Sequence, residues 1–142
     1  MTIAAILGSK GREVISVTAG QSVGDAVNLL ATRRIGAVPV MDGDKVVGIF
    51  SERDVIHAVA AHGSGALERT VGEVMTAPPI TVGIAEAAIG ALSLMTRRRI
   101  RHLPVIEGGM VIGMVSIGDL VKYRIDRIEA DAEAMRSYIQ SA

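Results

Sequence analysis

The hydrophobic pattern of this chain alternates between short runs typical of strands and spacings typical of helices. Residues 37–41 and 46–50 are apolar runs rich in Val and Ile, and the Asp-Gly-Asp between them predicts a reversing turn. Ahead of them, Ser22 is a natural N-cap for a helix with apolar residues at helical spacing. A strand over residues 14–18 precedes this helix, and another helix opens at Ser51. The predicted order is β-α-β-β-α.

The same order occurs a second time along the chain. A shift of 65 residues brings Pro39 onto Pro104 and Asp54 onto Asp119 without a gap. Further identical pairs on this register are Ile15 and Ile80, Val17 and Val82, Gly43 and Gly108, Gly48 and Gly113, and Ser51 and Ser116. The second copy has predicted strands at 80–82, 103–106 and 111–115. One copy cannot bury both faces of its sheet, so we expect the two to pack sheet to sheet around a pseudo-two-fold axis.

The predicted elements divide the chain into five segments. Residues 1–13 form an N-terminal arm with a short helix, residues 14–61 the first repeat, and residues 79–121 the second. Residues 62–78 connect the repeats through a glycine-serine loop at 62–65 and a short helix at 71–75. Residues 122–142 form a C-terminal helix. The fold class is therefore α/β, with two repeats and a terminal helix.

Apolar residues of the terminal helix follow alternating steps of four and three, the spacing of a heptad seam. They are Val121, Ile125, Ile128, Ala132, Met135 and Ile139. The spacing leaves two interpretations open. The helix packs on its own domain or on a dimer mate, or it forms a freestanding coiled coil.

Composition narrows the class of protein. Hydrophobic residues make up 49% and aromatic residues only 2%, so Val, Ile, Leu, Ala and Met must form the core. The 15 basic and 15 acidic residues cancel, which disfavours nucleic acid as a partner. The lack of cysteine excludes disulfides, thiolate zinc sites and a thiol nucleophile. We find neither a signal peptide nor an apolar run of about 20 residues, and therefore expect a cytoplasmic protein without membrane contact.

The duplicated motifs resemble one known family. Residues 35–40 read Ile-Gly-Ala-Val-Pro-Val and residues 48–54 Gly-Ile-Phe-Ser-Glu-Arg-Asp; their partners at 100–105 and 113–119 read Ile-Arg-His-Leu-Pro-Val and Gly-Met-Val-Ser-Ile-Gly-Asp. In this arrangement the chain resembles a tandem pair of CBS (cystathionine-β-synthase) domains. The resemblance implies a homodimer with clefts for AMP, ADP or ATP, and in some members NAD(H) or S-adenosylmethionine. This sequence includes no further domain, so a regulated protein would be a partner in trans.

The resemblance implies one or two clefts between the repeats, and we expect one of them to be the main nucleotide site. Asp119 and Ser116 would bind the ribose, while Gly113 would leave room for the adenine. Arg101 and His102, which replace Gly36 and Ala37 of the first repeat, would supply cationic donors near the phosphates. The full expected set is Asp119, Ser116, Arg101, His102, Arg53, Thr81, Ile80, Pro104 and Gly113.

A second, weaker cleft is expected from the matching residues of the first repeat, which offer fewer phosphate donors. These residues are Asp54, Ser51, Gly36, Val38 and Thr18. An alternative interpretation applies to both serine and aspartate pairs, because Ser at an N-cap and Asp three residues later form a capping box. Lys10 and Arg12 are further candidates to reach a phosphate. Arg97 and Arg98 are expected to lie at a solvated helix end.

The sequence contains no pattern that predicts catalysis or a metal. Its histidines (His57, His62 and His102) lack metal-ligand spacing, and no histidine is placed to activate Ser51 or Ser116. A Walker A motif is also missing. We therefore expect no catalytic residue and no required metal. The predicted function is a regulatory sensor of an adenine nucleotide; the alternative is a dimerisation or docking module with unliganded clefts.

Overall fold

The computed structural model describes residues 1–141 and contains two three-stranded sheets. The first consists of β1 (Val17–Thr18), β2 (Ala37–Asp42) and β3 (Lys45–Ser51). The second consists of β4 (Val82–Gly83), β5 (His102–Glu107) and β6 (Met110–Ser116). In each sheet the first strand runs parallel to the second, and the second pairs with the third as an antiparallel hairpin.

Within residues 1–141, six α-helices accompany the sheets. They are α1 (Ile3–Lys10), α2 (Val23–Arg33), α3 (Glu52–His62), α4 (Val71–Val74), α5 (Ala88–Arg98) and α6 (Ile117–Ser141). The Ser22 side chain caps α2 by accepting a hydrogen bond from the Asp25 N–H at 3.0 Å. Both hairpins turn through a glycine at positive φ, Gly43 at 60° and Gly108 at 59°. The predicted α/β architecture of two β-α-β-β-α repeats and a C-terminal helix is confirmed.

Three local predictions differ from the structure. The strand predicted at 14–18 is β1 alone, because only Val17 and Thr18 have partners on β2. Likewise the strand predicted at 80–82 is β4, where Val82 and Gly83 pair with β5. The predicted loop at 62–65 belongs to a 3-10 helix over Gly63–Glu68, which is anchored by the fully buried Ala66.

Each sheet is covered by a short helix from the segment that precedes the other repeat. The first core contains Val17, Val38 and Phe50 together with Val71, which lies on α4 just ahead of the second repeat. The second core contains Leu103 and Val115 together with buried residues of α1, which lies ahead of the first repeat. The 65-residue shift relates these coverings, because it brings residues 6–11 onto 71–76. Each sheet is thus closed by the segment that precedes the other repeat.

The α6 helix continues the last helix of the second repeat without a break. Leu120 is buried and Tyr123 half-buried against the second core, whereas every residue from 124 to 141 is exposed. Across residues 1–141, no helix has both the length and the apolar character required to cross a bilayer.

Candidate functional site

Two clefts open between the repeats. The first, which we call the Arg53 cleft, has a volume of about 520 Å³ and lies at the start of α3. Its polar lining includes Ser51, Glu52, Arg53, Thr76, Arg98, Arg101 and His102; its apolar lining includes Ile49, Ile56, Pro78, Pro79, Ile80 and Ile100. A cavity of this size is within the range that accommodates a nucleotide-sized ligand.

The charge of the Arg53 cleft is positive. Three arginines line it against one carboxylate, that of Glu52. Arg53 is held across the repeats because its Nη1 donates to the Arg99 carbonyl at 2.7 Å. Since Arg98 and Arg101 come from the second repeat, an anion in this cleft would be contacted from both repeats at once.

The carboxylate of Asp54 lies behind this cleft and is 7% exposed. Its Oδ2 accepts from the Ser51 N–H at 2.8 Å and from the Ser51 hydroxyl at 3.1 Å. The Thr76 hydroxyl donates to Oδ1 at 2.7 Å. Ser51 and Asp54 therefore form the capping box of α3, and the carboxylate fixes the two hydroxyl groups that line the cleft.

The second cleft, the Asp119 cleft, has a volume of about 440 Å³ at the start of α6. Its lining includes Lys10, Gly11, Glu13, Ile15, Arg34, Gly36, His102, Met114, Ser116 and Asp119. Two cations and two carboxylates line it, so this cleft carries no net charge from those groups. It offers less electrostatic attraction to a phosphate than the Arg53 cleft does.

Asp119 is paired with the N-terminal helix. Lys10 Nζ lies 2.6 Å from Asp119 Oδ2 and donates to the Met114 carbonyl at 2.8 Å. The Ser116 N–H donates to the same Oδ2 at 2.8 Å, and the Asp119 N–H donates to Ser116 Oγ at 3.1 Å. Burial opposes the charged form, but the hydrogen bonds from Lys10 and Ser116 outweigh it and lower the pKa of Asp119 below its ordinary value.

His102 lies between the clefts and lines both. Burial lowers its pKa, and this effect exceeds the opposing influence of the Glu52 carboxylate. Gly36 packs closely against the ring, because a Cβ there would lie 3.1 Å from the imidazole Cε1. An uncharged imidazole can offer one donor and one acceptor to a ligand in either cleft.

The structure divides the main set of predicted site residues between the two clefts. Arg53, Arg101 and Ile80 line the Arg53 cleft, whereas Asp119 and Ser116 line the Asp119 cleft. The residues expected to form one site are therefore not together in a single cleft. The reason is the exchange between repeats: the residues that lead into one repeat lie beside the helix start of the other, so Ile80 faces Ser51 and Ile15 faces Ser116.

Six predicted residues line neither of these two clefts, and one of them is Asp54, which lies behind the Arg53 cleft. Pro104 and Val38 are buried in the sheets, Thr18 is exposed, and Thr81 is half-buried. Gly113 has a packing role, because a Cβ on it would lie 2.8 Å from Leu7 Cδ2 of α1. The space that we assigned to an adenine at this strand glycine is filled by that leucine. In the second predicted set, Ser51 and Gly36 do line the Arg53 cleft.

The sequence analysis did not single out three residues that line the Arg53 cleft. Thr76 and Pro78 fall in the predicted connection between the repeats, and Arg98 falls at a predicted solvated helix end, yet all three line the cleft. The 65-residue register contained a signal for Thr76. It places Met75 and Thr76 opposite Lys10 and Gly11, so a role for one segment implied a role for the other.

Comparisons with known proteins give one consistent result. The family model described as "CBS domain" matches residues 10–61 and 71–126. The chain is 33% identical over 148 residues to the CBS domain-containing protein CBSX3, mitochondrial, of Arabidopsis thaliana, covering 98% of this chain and 72% of that protein. Some longer relatives from the same plant are covered over only 22–23% of their length.

Solved structures agree with this match. The CBS-domain containing protein ATU1752 from Agrobacterium tumefaciens has a TM-score of 0.85 and 38% identity, covering 87% of this chain and 99% of that one. The CBS domain protein PAE2072 from Pyrobaculum aerophilum, solved in complex with AMP, has a TM-score of 0.75 and 26% identity. That match covers 84% of this chain and 89% of the other.

Proposed function

The chain belongs to the CBS domain family, and from that premise we propose that it is a regulatory module that binds an adenine nucleotide in the Arg53 cleft. The observation that carries the proposal is the combination of three arginines with apolar walls in one cleft between the repeats. Phosphates require cationic donors, and a purine base requires flat apolar surface. The AMP complex of the similar Pyrobaculum protein supports this ligand class.

The proposed binding mode follows from the lining. The phosphates lie near Arg53 and Arg101, and the base lies against Ile80 and the two prolines, Pro78 and Pro79. The ribose lies near the Ser51 and Thr76 hydroxyls, which Asp54 holds in place. In this mode the nucleotide bridges side chains of both repeats.

Bridging gives a physical route to regulation. A ligand that contacts both repeats favours the relative arrangement in which both sets of contacts form. It shifts that equilibrium by no more than the difference between its affinities for the two arrangements. A partner protein in trans would respond to the arrangement. The homodimer and the cytoplasmic location remain predictions, and the Arabidopsis relative is named as mitochondrial.

The proposal includes no turnover of the nucleotide. Within residues 1–141, no group of three or more His, Cys, Asp or Glu side chains is placed to hold a metal ion. The serines at the starts of α3 and α6 are engaged in capping hydrogen bonds. Incubation with ATP should therefore release no ADP or phosphate above the rate of a buffer control.

Thermal melting against AMP, ADP, ATP, NADH and S-adenosylmethionine, with GTP as the control, tests the proposal. A ligand at a hundred times its Kd stabilises by about 2.7 kcal/mol. For a domain of this size this is a Tm increase of roughly 5–11 °C. Arg101→Gln should reduce the shift, whereas Arg97→Gln, which changes an arginine outside the cleft lining, should retain it.

The alternative function predicts a different result. A dimerisation or docking module with unliganded clefts would show no shift with any of these ligands at millimolar concentration. Val59 on α3 and Ile89 on α5 are 47% and 65% exposed and line neither cleft, and such exposed apolar residues are the observation that favours this alternative. A shift with GTP equal to that with AMP would also contradict the proposal, because it would indicate phosphate binding without recognition of the base.

A further inference from the structure

The outer part of α6 presents an apolar stripe that nothing in the described chain covers. We call it the α6 stripe: Val121, Ile125, Ile128, Ala132, Met135 and Ile139. Its large residues are 43% (Val121), 49% (Ile125), 53% (Ile128), 60% (Met135) and 65% (Ile139) exposed. The 18 residues from 124 to 141 extend about 27 Å beyond the body of the protein. A helix this exposed gains little stability from its own chain, which favours a partner on the stripe.

The stripe lies on a different side of the helix from the residues that face the second core. Ile117, Leu120 and Tyr123 contact the second core, and at 100° per residue the centre of the stripe lies roughly 100° around the helix from them. From residue 124 to 141 every residue of α6 is exposed, so a second helix can reach this part of the stripe. The steps of four and three residues place the stripe at the a and d positions of a heptad, with Ile125 at a and Ile128 at d.

The charges beside the stripe select an occupant and an orientation. In this heptad, Arg124 and Asp131 occupy g positions, and Glu129 and Arg136 occupy e positions. In a parallel pair, each g residue faces the e residue five positions later on the other helix. Arg124 then faces Glu129 of the second copy, and Asp131 faces Arg136 of the second copy. Both contacts join opposite charges.

The antiparallel alternative is disfavoured by the same residues. With the stripes fully overlapped in opposite directions, Glu129 faces Glu129 and Asp131 faces Asp131 of the second copy, which is repulsive. A membrane surface is a poor match as well. The helix carries four basic residues and five acidic ones, and thus has no basic excess for anionic lipid. These residues are Lys122, Arg124, Arg127 and Arg136, and Asp119, Asp126, Glu129, Asp131 and Glu133.

We propose that the α6 stripe pairs with the α6 stripe of a second copy of this chain, parallel and in register. This interface is independent of the nucleotide site, because none of its residues lines either cleft. It stands even if no nucleotide binds. About three heptads form the contact, so the pair is expected to dissociate on dilution.

Disulfide trapping tests the proposal directly, since the chain has no cysteine of its own. In separate variants, Ile128→Cys and Ile139→Cys place one thiol on the stripe, and Ala134→Cys places one on the exposed outer face as a matched control. Parallel pairing in register brings identical positions together. Under mild oxidation, both stripe variants should form covalent dimers at least about tenfold faster than the control, because pairing raises the local thiol concentration.

Two outcomes would overturn the proposal. The first is trapping of the stripe variants no faster than the Ala134→Cys control. The second is preferential trapping between Val121→Cys and Ile139→Cys chains in a mixture, which would indicate antiparallel pairing. Circular dichroism of each variant verifies that α6 is retained.

Charge exchange provides an independent measurement. Glu129→Arg places like charges opposite Arg124 and should shift the monomer–dimer equilibrium, measured by sedimentation, toward the monomer. Adding Arg124→Glu should restore dimerisation. Failure of the double variant to restore it would contradict the parallel register, whatever the result of nucleotide binding.

Discussion

Asp54 and Asp119 occupy equivalent positions in the two repeats but have different partners. Each caps the helix that follows its sheet, and each meets a side chain from the segment that precedes the other repeat. For Asp54 that side chain is the neutral Thr76 hydroxyl; for Asp119 it is the Lys10 ammonium. The two repeats share this capping geometry, but the side chain that meets the carboxylate is neutral in one and positively charged in the other. Consequently Lys10 and Asp119 neutralise each other in the Asp119 cleft. The arginines of the Arg53 cleft remain available to an anion.

The largest expected effect is a loss of stability from a substitution in α1, the helix that covers the second sheet. Leu7→Ala should lower the free energy of unfolding by about 2–5 kcal/mol, because Leu7 is 1% exposed in the second core and a cavity would remain. Chemical denaturation measures this loss. Leu67→Ala is the control, since Leu67 is 47% exposed. Equal stabilities for the two variants would show that α1 does not close the second sheet.

The next largest effect is a difference in stability between variants of the two capping carboxylates, Asp54 and Asp119. Asp54→Ala should cost more stability than Asp119→Ala. Loss of a helix cap costs about 0.5–2 kcal/mol in either repeat. Asp54→Ala also removes the bond from the Thr76 hydroxyl to a carboxylate that is only 7% exposed, and a hydrogen bond to such a charged group contributes about 1.5–3 kcal/mol. Asp119→Ala removes instead the partly exposed ion pair with Lys10, which contributes about 0.5–1 kcal/mol. Paired thermal melts of the two variants measure the difference. A greater loss in Asp119→Ala would mean that the Lys10 pair contributes more than the buried neutral contact.

A smaller, pH-dependent effect is expected at Lys10. Lys10→Met should cost about 0.5–1 kcal/mol near neutral pH, since the ion pair with Asp119 is partly exposed. Because Lys10 helps to lower the pKa of Asp119, the pair's stabilisation is present above the ordinary carboxylate value of 3.8.

Acid unfolding measures this contribution. The stability difference between wild type and Lys10→Met should shrink as the pH falls through the pKa of Asp119 in the variant. It should vanish once the pH is below the lowered pKa in the wild type. A difference that stays constant down to low pH would assign the effect to packing of the lysine stem.

The helices, strands and turns could be predicted from the sequence because each depends on residues that are close together along the chain. Ser22 caps its helix through a hydrogen bond within one turn, and the hairpin glycines Gly43 and Gly108 determine their own turns. The division of the predicted residues between two clefts could not be predicted, because it depends on contacts between segments that are far apart in the sequence. No local pattern at residue 10 indicates that its ammonium meets a carboxylate at residue 119. Gly113 alone could not indicate what packs against it, since a glycine leaves room for a leucine from α1 as well as for a ligand.

Calorimetric titration of AMP into three proteins tests the central claim most directly. The wild type should bind one AMP per chain. Arg101→Gln should weaken binding by roughly ten- to a hundredfold, the loss expected for a hydrogen bond from a charged group, whereas Asp119→Asn should leave the Kd unchanged. The opposite result, weak binding in Asp119→Asn with normal binding in Arg101→Gln, would contradict the account and place the nucleotide in the Asp119 cleft.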